Sequence, residues 1–184
     1  MLLAVSFSWA AFGGFSLFYA TAETEARGAA LLHDLAIGAL AAGIVIALSY
    51  EFTRRTQWGE TLARLLAALI GPLRTSQCLL LALVSGVAEE VFFRGVLQPR
   101  IGLVAASVLF GLAHFAPSRE LLPWTLFSLA AGFLLGVLFD ATGNLIAPVL
   151  THVLVNAVNL QLLIKRYGTP APAEDQADET DPGS

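Results

Sequence analysis

The chain has 184 residues, of which 57% are apolar and 13% charged, with a formal net charge of −4. Its mean hydropathy of +0.73 lies far from that of a soluble domain, where about 45–50% of residues are apolar and about 25% charged. A single cysteine, Cys78, excludes a disulfide framework or a Cys-rich metal cluster. The acidic balance argues against nucleic acid as a partner, which needs a basic face. What remains is an all-α, polytopic membrane protein whose surroundings are a lipid bilayer.

A bilayer core takes about 20 mostly apolar residues per helical span. Six segments qualify in chain order: Leu2–Ala20, Ala29–Tyr50, Ser76–Leu97, Gly102–Pro117, Leu122–Asp140 and Leu145–Ile164. The fourth is short, which suggests tilting or shielding by neighbours. Thr61–Leu73 is amphipathic and ends at Gly71-Pro72, so it reads as a helix lying in the interface. Trp58, just before it, suits headgroup depth. Ala20-Thr21-Ala22 resembles a leader-cleavage site, but Met1-Leu2-Leu3 lacks a basic n-region and the apolar run is long, so the first segment reads as a span. Met1 stands almost inside it, as though the start were truncated.

Loop charges set the orientation. Arg54, Arg55, Arg64, Arg74, Arg119, Lys165 and Arg166 fall on one side of a six-span arrangement, and only Arg27 and Arg100 on the other. The positive-inside rule then places both termini in the cytoplasm, in the inner membrane if the chain is bacterial. From Gly168 the composition changes to Pro, Ala, Gly and five acids without Lys or Arg. Such a tail buries too little apolar surface to offset ordering and is expected to be disordered. The expected organisation is one membrane domain, residues 1–167, with a disordered acidic tail over 168–184.

A few polar residues fall where hydrocarbon is expected. Glu89, Glu90 and Arg94 lie in the third span, His114 in the fourth, and His152 and Asn156 in the sixth. A charge at the bilayer centre costs roughly 2.5–3.5 kcal/mol on the insertion scale, so these groups must face the bundle interior or a wet cavity. Glu90 and Arg94 are i,i+4 and can pair. Glu89 is rotated from Glu90 by about 100°, so the two carboxylates serve different points. One is held by Arg94. The other lacks a cation and is the better candidate for a general base. His152 and Asn156 share a helix face and can donate hydrogen bonds to one developing oxyanion. His114 can orient a water against Glu89. Ser85 and Gly86, one turn earlier, let a neighbouring helix or a substrate come close. His33 and Asp34 read as structural or interfacial, and Gly132 with Gly136 as a packing GxxxG.

Water, a carboxylate, histidines and oxyanion donors suggest hydrolysis. The H-E-x-x-H and G-x-S-x-G signatures are absent, which removes the common metalloprotease and serine solutions. Two other function classes compete. A proton-coupled transporter would use the same buried charges but should show an inverted repeat, and none is legible. A non-catalytic interaction or immunity protein would not need the charges at all.

Three ordered motifs resemble one known family. Glu89-Glu90-Val91-Phe92-Phe93-Arg94 matches EExxxR, Phe110 to His114 matches FxxxH, and His152 to Asn156 matches HxxxN, with Phe127, Gly132 and Gly136 in between. The set is similar to the CAAX prenyl protease and bacteriocin-processing (CPBP or Abi) intramembrane endopeptidases, over a motif-bearing core of about residues 76–160. The resemblance implies a membrane-embedded glutamate protease. In it Glu89 looks like the base that activates water, helped by His114. His152 and Asn156 look like the oxyanion donors, and Glu90 with Arg94 like a supporting pair. The implied substrate is a membrane-associated protein or peptide, either prenylated and CAAX-like or bacteriocin-related. The expected mechanism uses no cofactor. A zinc-dependent protease with the metal at Glu89, His114 and His152 is the alternative, since zinc accepts a His₂Glu set.

Overall fold

The computed structural model describes residues 1–168. In chain order its helices are α1 (Leu2–Gly13), α2 (Ala22–Arg27), α3 (Leu31–Arg55), α4 (Gln57–Ile70), α5 (Thr75–Glu90), α6 (Gln98–Ala113), α7 (Leu122–Thr142) and α8 (Ile146–Tyr167). A π-helical stretch, Val91–Leu97, joins α5 to α6. Among the described residues, four stretches are long and apolar enough to cross a membrane: Leu31–Arg55, Thr75–Ala113, Leu122–Thr142 and Ile146–Tyr167. Their outward side chains are apolar, with Leu40, Leu48, Leu80 and Val104 all exposed. The chain is an all-α membrane helix bundle. The acidic tail expected from residue 168 lies beyond the described residues, apart from Gly168 itself.

The first, third and fourth of the six expected spans are corrected. The first, Leu2–Ala20, is broken by Gly13-Gly14. Gly14 adopts the left-handed conformation, φ 63°, and ends α1 after 12 residues. A helix of that length covers about 18 Å, against roughly 30 Å of hydrocarbon. The third and fourth spans form one helical stretch of 39 residues, folded at Gly102. There φ is 82° and ψ is 163°, a conformation open mainly to glycine.

The registers against α7 show how far the chain turns. Arg94 and Gln98 reach Gly132 and Gly136, rising in step with α7. Past the corner Leu103, Ser107 and Gly111 meet Gly136, Gly132 and Leu129, in falling order. The arm after Gly102 therefore runs back along α7. From Leu103 to Ala113 it reaches only about 16 Å, so its helix does not cross by itself.

The expected interfacial helix is α4. It begins earlier, at Gln57, where the Thr56 hydroxyl accepts the Gly59 N–H at 2.9 Å, and it ends at Gly71, φ 75°. It buries Gly59, Ala63 and Ala67, one strip at four-residue spacing, and packs on α3, α8 and α7. Trp58 falls within its first turn and is 75% exposed.

Close backbone approaches draw the other helices together. α3 lies parallel to α8, with Gly38 against Ala147 and Ser49 hydrogen-bonded to Asn159. A Cβ on Gly38 would stand 2.9 Å from the Ala147 carbonyl oxygen. α5 lies antiparallel to α8, and a Cβ on Gly86 would stand 2.7 Å from a Val153 methyl. These directions put the ends of α3 and α8 and the starts of α5 and α7 at one end of the bundle. Arg54, Arg55, Arg74, Arg119, Lys165 and Arg166 gather there, with Arg64 of α4 over the Tyr167 ring. The charge partition read from the sequence is thus present in space, and this is the basic end.

The opposite end carries the Gly102 corner and the α7–α8 turn. Asp34, 1% exposed, accepts from Asn144 Nδ2 at 2.8 Å and lies 3.0 Å from His33 Nδ1. Asn144 in turn accepts the Ile146 N–H at 2.9 Å. Asp34 therefore ties the start of α3 to the α7–α8 turn, a structural role. Chain segment Phe18–Ala20 pairs with Gly143–Leu145 beside it.

Candidate active site

The residues that matter lie on three helices whose contacts are set by glycines. Where α5 passes into the π stretch, Glu90 and Arg94 are 0% and 1% exposed. Arg94 Nη1 donates to Glu90 Oε1 at 3.2 Å, and Arg94 Nε stands 3.1 Å from Glu90 Oε2 without hydrogen-bond alignment. Arg94 Nη2 also donates to the Gly132 carbonyl at 2.8 Å. One turn on, Gln98 donates to the Gly136 carbonyl at 2.9 Å and to Asp140 at 2.7 Å. The GxxxG of α7 does serve packing: a Cβ at Gly136 would stand 2.3 Å from a Leu103 methyl and 2.8 Å from Gln98 Oε1.

Glu90 is shared with α8. His152 Nδ1 lies 2.7 Å from Glu90 Oε1, so the buried carboxylate holds a guanidinium and an imidazole together. Arg94 also lies over the Phe110 ring, 4.6 Å from its centroid. That ring is 4.7 Å from the His114 ring and 5.9 Å from the His152 ring. Phe110 thus stands between the two histidines.

Glu89 points elsewhere, as the rotation along the helix requires. Its Oε2 lies 3.6 Å from His114 Nε2. His114 Nδ1 is 2.8 Å from the Phe110 carbonyl oxygen. Trp124 sets its ring edge-on to His114 at 5.8 Å. Side chains of Glu89 and His114 keep 19% and 23% exposure. Asn156 Nδ2 donates to Ser85 Oγ at 3.1 Å.

Glu89, His114, His152 and Asn156 line one cavity of about 250 Å³. Its other walls are mostly apolar, with Phe127 and Leu135 of α7 among them. Ile70 of α4 and Leu160 of α8 also line it, so it extends toward the basic end. Space of this size takes several waters, each needing about 10–15 Å³ of probe volume. Glu90 and Arg94 stand behind the cavity wall.

All six residues singled out by sequence are therefore in one neighbourhood, split into two sets. Glu89, His114, His152 and Asn156 face the cavity, while Glu90 and Arg94 support it. Sequence reading missed Gln98, Trp124 and the hydrogen bond of Ser85. The four-residue spacing Glu90, Arg94, Gln98 was the signal for Gln98. Among the described residues, no three His, Cys, Asp or Glu side chains are grouped so as to hold a metal ion. His152 and His114 each engage Nδ1, with Glu90 and with the Phe110 carbonyl, which leaves Nε2 of both rings for other partners.

Comparison with known proteins bears on this geometry. Residues 71–158 match the Rce1-like family of type II CAAX prenyl endopeptidases. Over 80 residues the chain is 46% identical to an uncharacterised protein of Bacillus subtilis, YpbD, covering 42% of this chain. The chain spans 41% of the length of that relative. No solved structure matches. Residues 71–158, just under half of the chain, are thus similar to a family of proteases, and the protein is integral to a membrane.

Proposed function

We propose that this chain is an intramembrane endopeptidase in which Glu89 and His114 activate a water, without a metal. The observation that carries the reading is the 3.6 Å approach of Glu89 to His114 on a cavity shared with His152 and Asn156. With its Nδ1–H donating to the Phe110 carbonyl, a neutral His114 offers only a lone pair at Nε2. Glu89 Oε2 also offers lone pairs and has no hydrogen-bond partner. Two acceptors so close call for a shared donor, and a water supplies both protons at once. Its oxygen lone pair is then turned toward a peptide carbonyl in the cavity. As the water attacks, Glu89 takes one proton and later returns it to the leaving amine.

The carbonyl oxygen gains charge during the attack. Asn156 donates one N–H toward it. His152, fixed through Nδ1 by Glu90, donates from Nε2 in its imidazolium form, with Glu90 balancing that charge. Loss of one such donor costs about 2.7–4 kcal/mol of barrier, or about 10²–10³ in kcat. The mostly apolar walls fit a substrate that arrives from the membrane, such as a prenylated CAAX-type peptide or another membrane-associated protein. The basic end faces the cytoplasm under the positive-inside rule, which turns the cavity toward substrates made there.

The test uses the purified full chain in detergent micelles. Farnesylated CAAX-type peptides and their unprenylated forms are incubated with it, and new termini are read by mass spectrometry. Cleavage by the parent and its loss in Glu89→Gln, with folding retained, is the expected result. Cleavage that Glu89→Gln leaves intact refutes the base. Activity abolished by a zinc chelator and restored by zinc refutes the metal-free mechanism.

A further inference from the structure

Ser85 lies on the cavity wall, one turn before Glu89 on α5. Its hydroxyl points back along its own helix, 3.4 Å from the Ala82 carbonyl oxygen. A hydroxyl has one proton to give. With that proton turned to the Ala82 carbonyl, its lone pairs face α8, where Asn156 Nδ2 stands 3.1 Å away. The carboxamide of Asn156 can present either its oxygen or its NH₂ to a neighbour. Against a hydroxyl that has spent its proton, only the NH₂ is accepted. An amide nitrogen carries two donors, and the second is left for the cavity.

The rung sits in register with the reacting groups. α5 and α8 are antiparallel, so one turn from Ser85 to Glu89 matches one turn from Asn156 to His152. Gly86 sets the spacing, since a Cβ there would stand 3.2 Å from the Val153 backbone nitrogen. The Ser85–Asn156 rung therefore lies beside the Glu89 and His152 side chains.

We propose that Ser85 is a positioning residue that fixes the orientation of the Asn156 amide, so that an N–H and not the oxygen faces the cavity. This rests on Asn156 being an oxyanion donor in the protease reading above. The test is a double-mutant cycle on the full chain in micelles, comparing the parent, Ser85→Ala, Asn156→Ala and the double variant, with Ser85→Thr as the conservative change. Ser85→Ala is expected to lower kcat roughly tenfold with KM unchanged, while Asn156→Ala lowers it by about 10²–10³. In the Asn156→Ala background, Ser85→Ala should have less than about a twofold effect, because coupled residues are not additive. Ser85→Thr restores the rate. Equal effects of Ser85→Ala in both backgrounds, or no effect in either, overturn the assignment.

A second readout needs no turnover. The Asn156 side-chain amide resonance, assigned by its loss in Asn156→Ala, should shift in Ser85→Ala and stay close to the parent in Ser85→Thr. An Asn156 signal unmoved by Ser85→Ala overturns the proposal even if the parent cleaves nothing. A parent without cleavage, alongside a shifted amide, fails the protease reading alone.

Discussion

Arg94→Leu tests the buried charge arrangement most directly. In the parent, Arg94 and Glu90 are almost wholly buried, and the guanidinium bonds both Glu90 and the Gly132 carbonyl. Arg94→Leu removes both of these charged hydrogen bonds, each worth about 1.5–3 kcal/mol, and leaves the Glu90 carboxylate to His152 alone. Arg94→Lys retains the charge. A single ammonium cannot reproduce the planar fork that reaches Glu90 and Gly132 together, so it should lose about 1.5–3 kcal/mol, the worth of one charged hydrogen bond. The double variant Glu90→Leu with Arg94→Leu removes both charges. It should recover much of the loss, since buried pairs are often replaceable by apolar residues, though His152 then loses its anchor. Reversible unfolding in mixed micelles, followed by tryptophan fluorescence, measures all three. If Arg94→Leu costs under about 1 kcal/mol, the charges are solvated and the burial argument fails. If the double variant is worse than Arg94→Leu alone, the penalty does not come from a stranded carboxylate.

Other expected outcomes separate close packing from open space. Gly38→Ala should destabilise, since its Cβ meets the Ala147 backbone at 2.9 Å, whereas Gly43→Ala, with nothing within 4 Å, should be neutral or stabilising by up to about 1 kcal/mol in thermal melts. Gly102→Ala should cost about 1–3 kcal/mol through backbone strain alone, because no neighbour lies within 4 Å of the added methyl. His152→Gln should lower kcat by about 10²–10³ if His152 is an oxyanion donor, with KM little changed in the same peptide assay. Asp34→Ala should destabilise without altering the kcat of the folded fraction, since its contacts are to the α7–α8 turn and not to the cavity.

Which parts of this arrangement could be read in the sequence follows from the period of each signal. The i,i+4 pairs Glu90–Arg94 and His152–Asn156 were legible because an α-helix puts such residues on one face. Their depth was legible from the apolar runs around them. The separate duties of Glu89 and Glu90 followed from one step of helix rotation, and the observed partners, His114 and His152, are on different helices. Span ends were harder. Gly13-Gly14 interrupts an apolar run without changing its hydropathy, so Leu2–Ala20 looked continuous. Gly102 is one glycine among many, and only its φ of 82° distinguishes a corner from a packing site.

The π stretch was the least legible feature, yet it accounts for a contact that an α-helix makes awkward. Each four-residue step in an α-helix overshoots a full turn by about 40°, so Glu90, Arg94 and Gln98 would drift around the axis by about 80°. A turn closed i→i+5 holds more residues and reduces that drift. Arg94 and Gln98 then address the same helix, at Gly132 and Gly136, while Glu90 still meets His152. Nothing in Val91–Leu97 marks this by composition, because the contacts that fit the wider turn reach across to α7 and α8, from Arg94 and Gln98 to Gly132 and Gly136 and from Glu90 to His152. The expected origin is therefore tertiary, with the buried charges choosing the helix type around them. Replacing Gln98 by Leu tests the point, since it removes the Gly136 and Asp140 bonds without touching the cavity. If the partners hold the π turn, that variant should raise backbone amide exchange within Val91–Leu97 more than in α5. Uniform exchange along both segments would show that the π turn belongs to the local sequence after all.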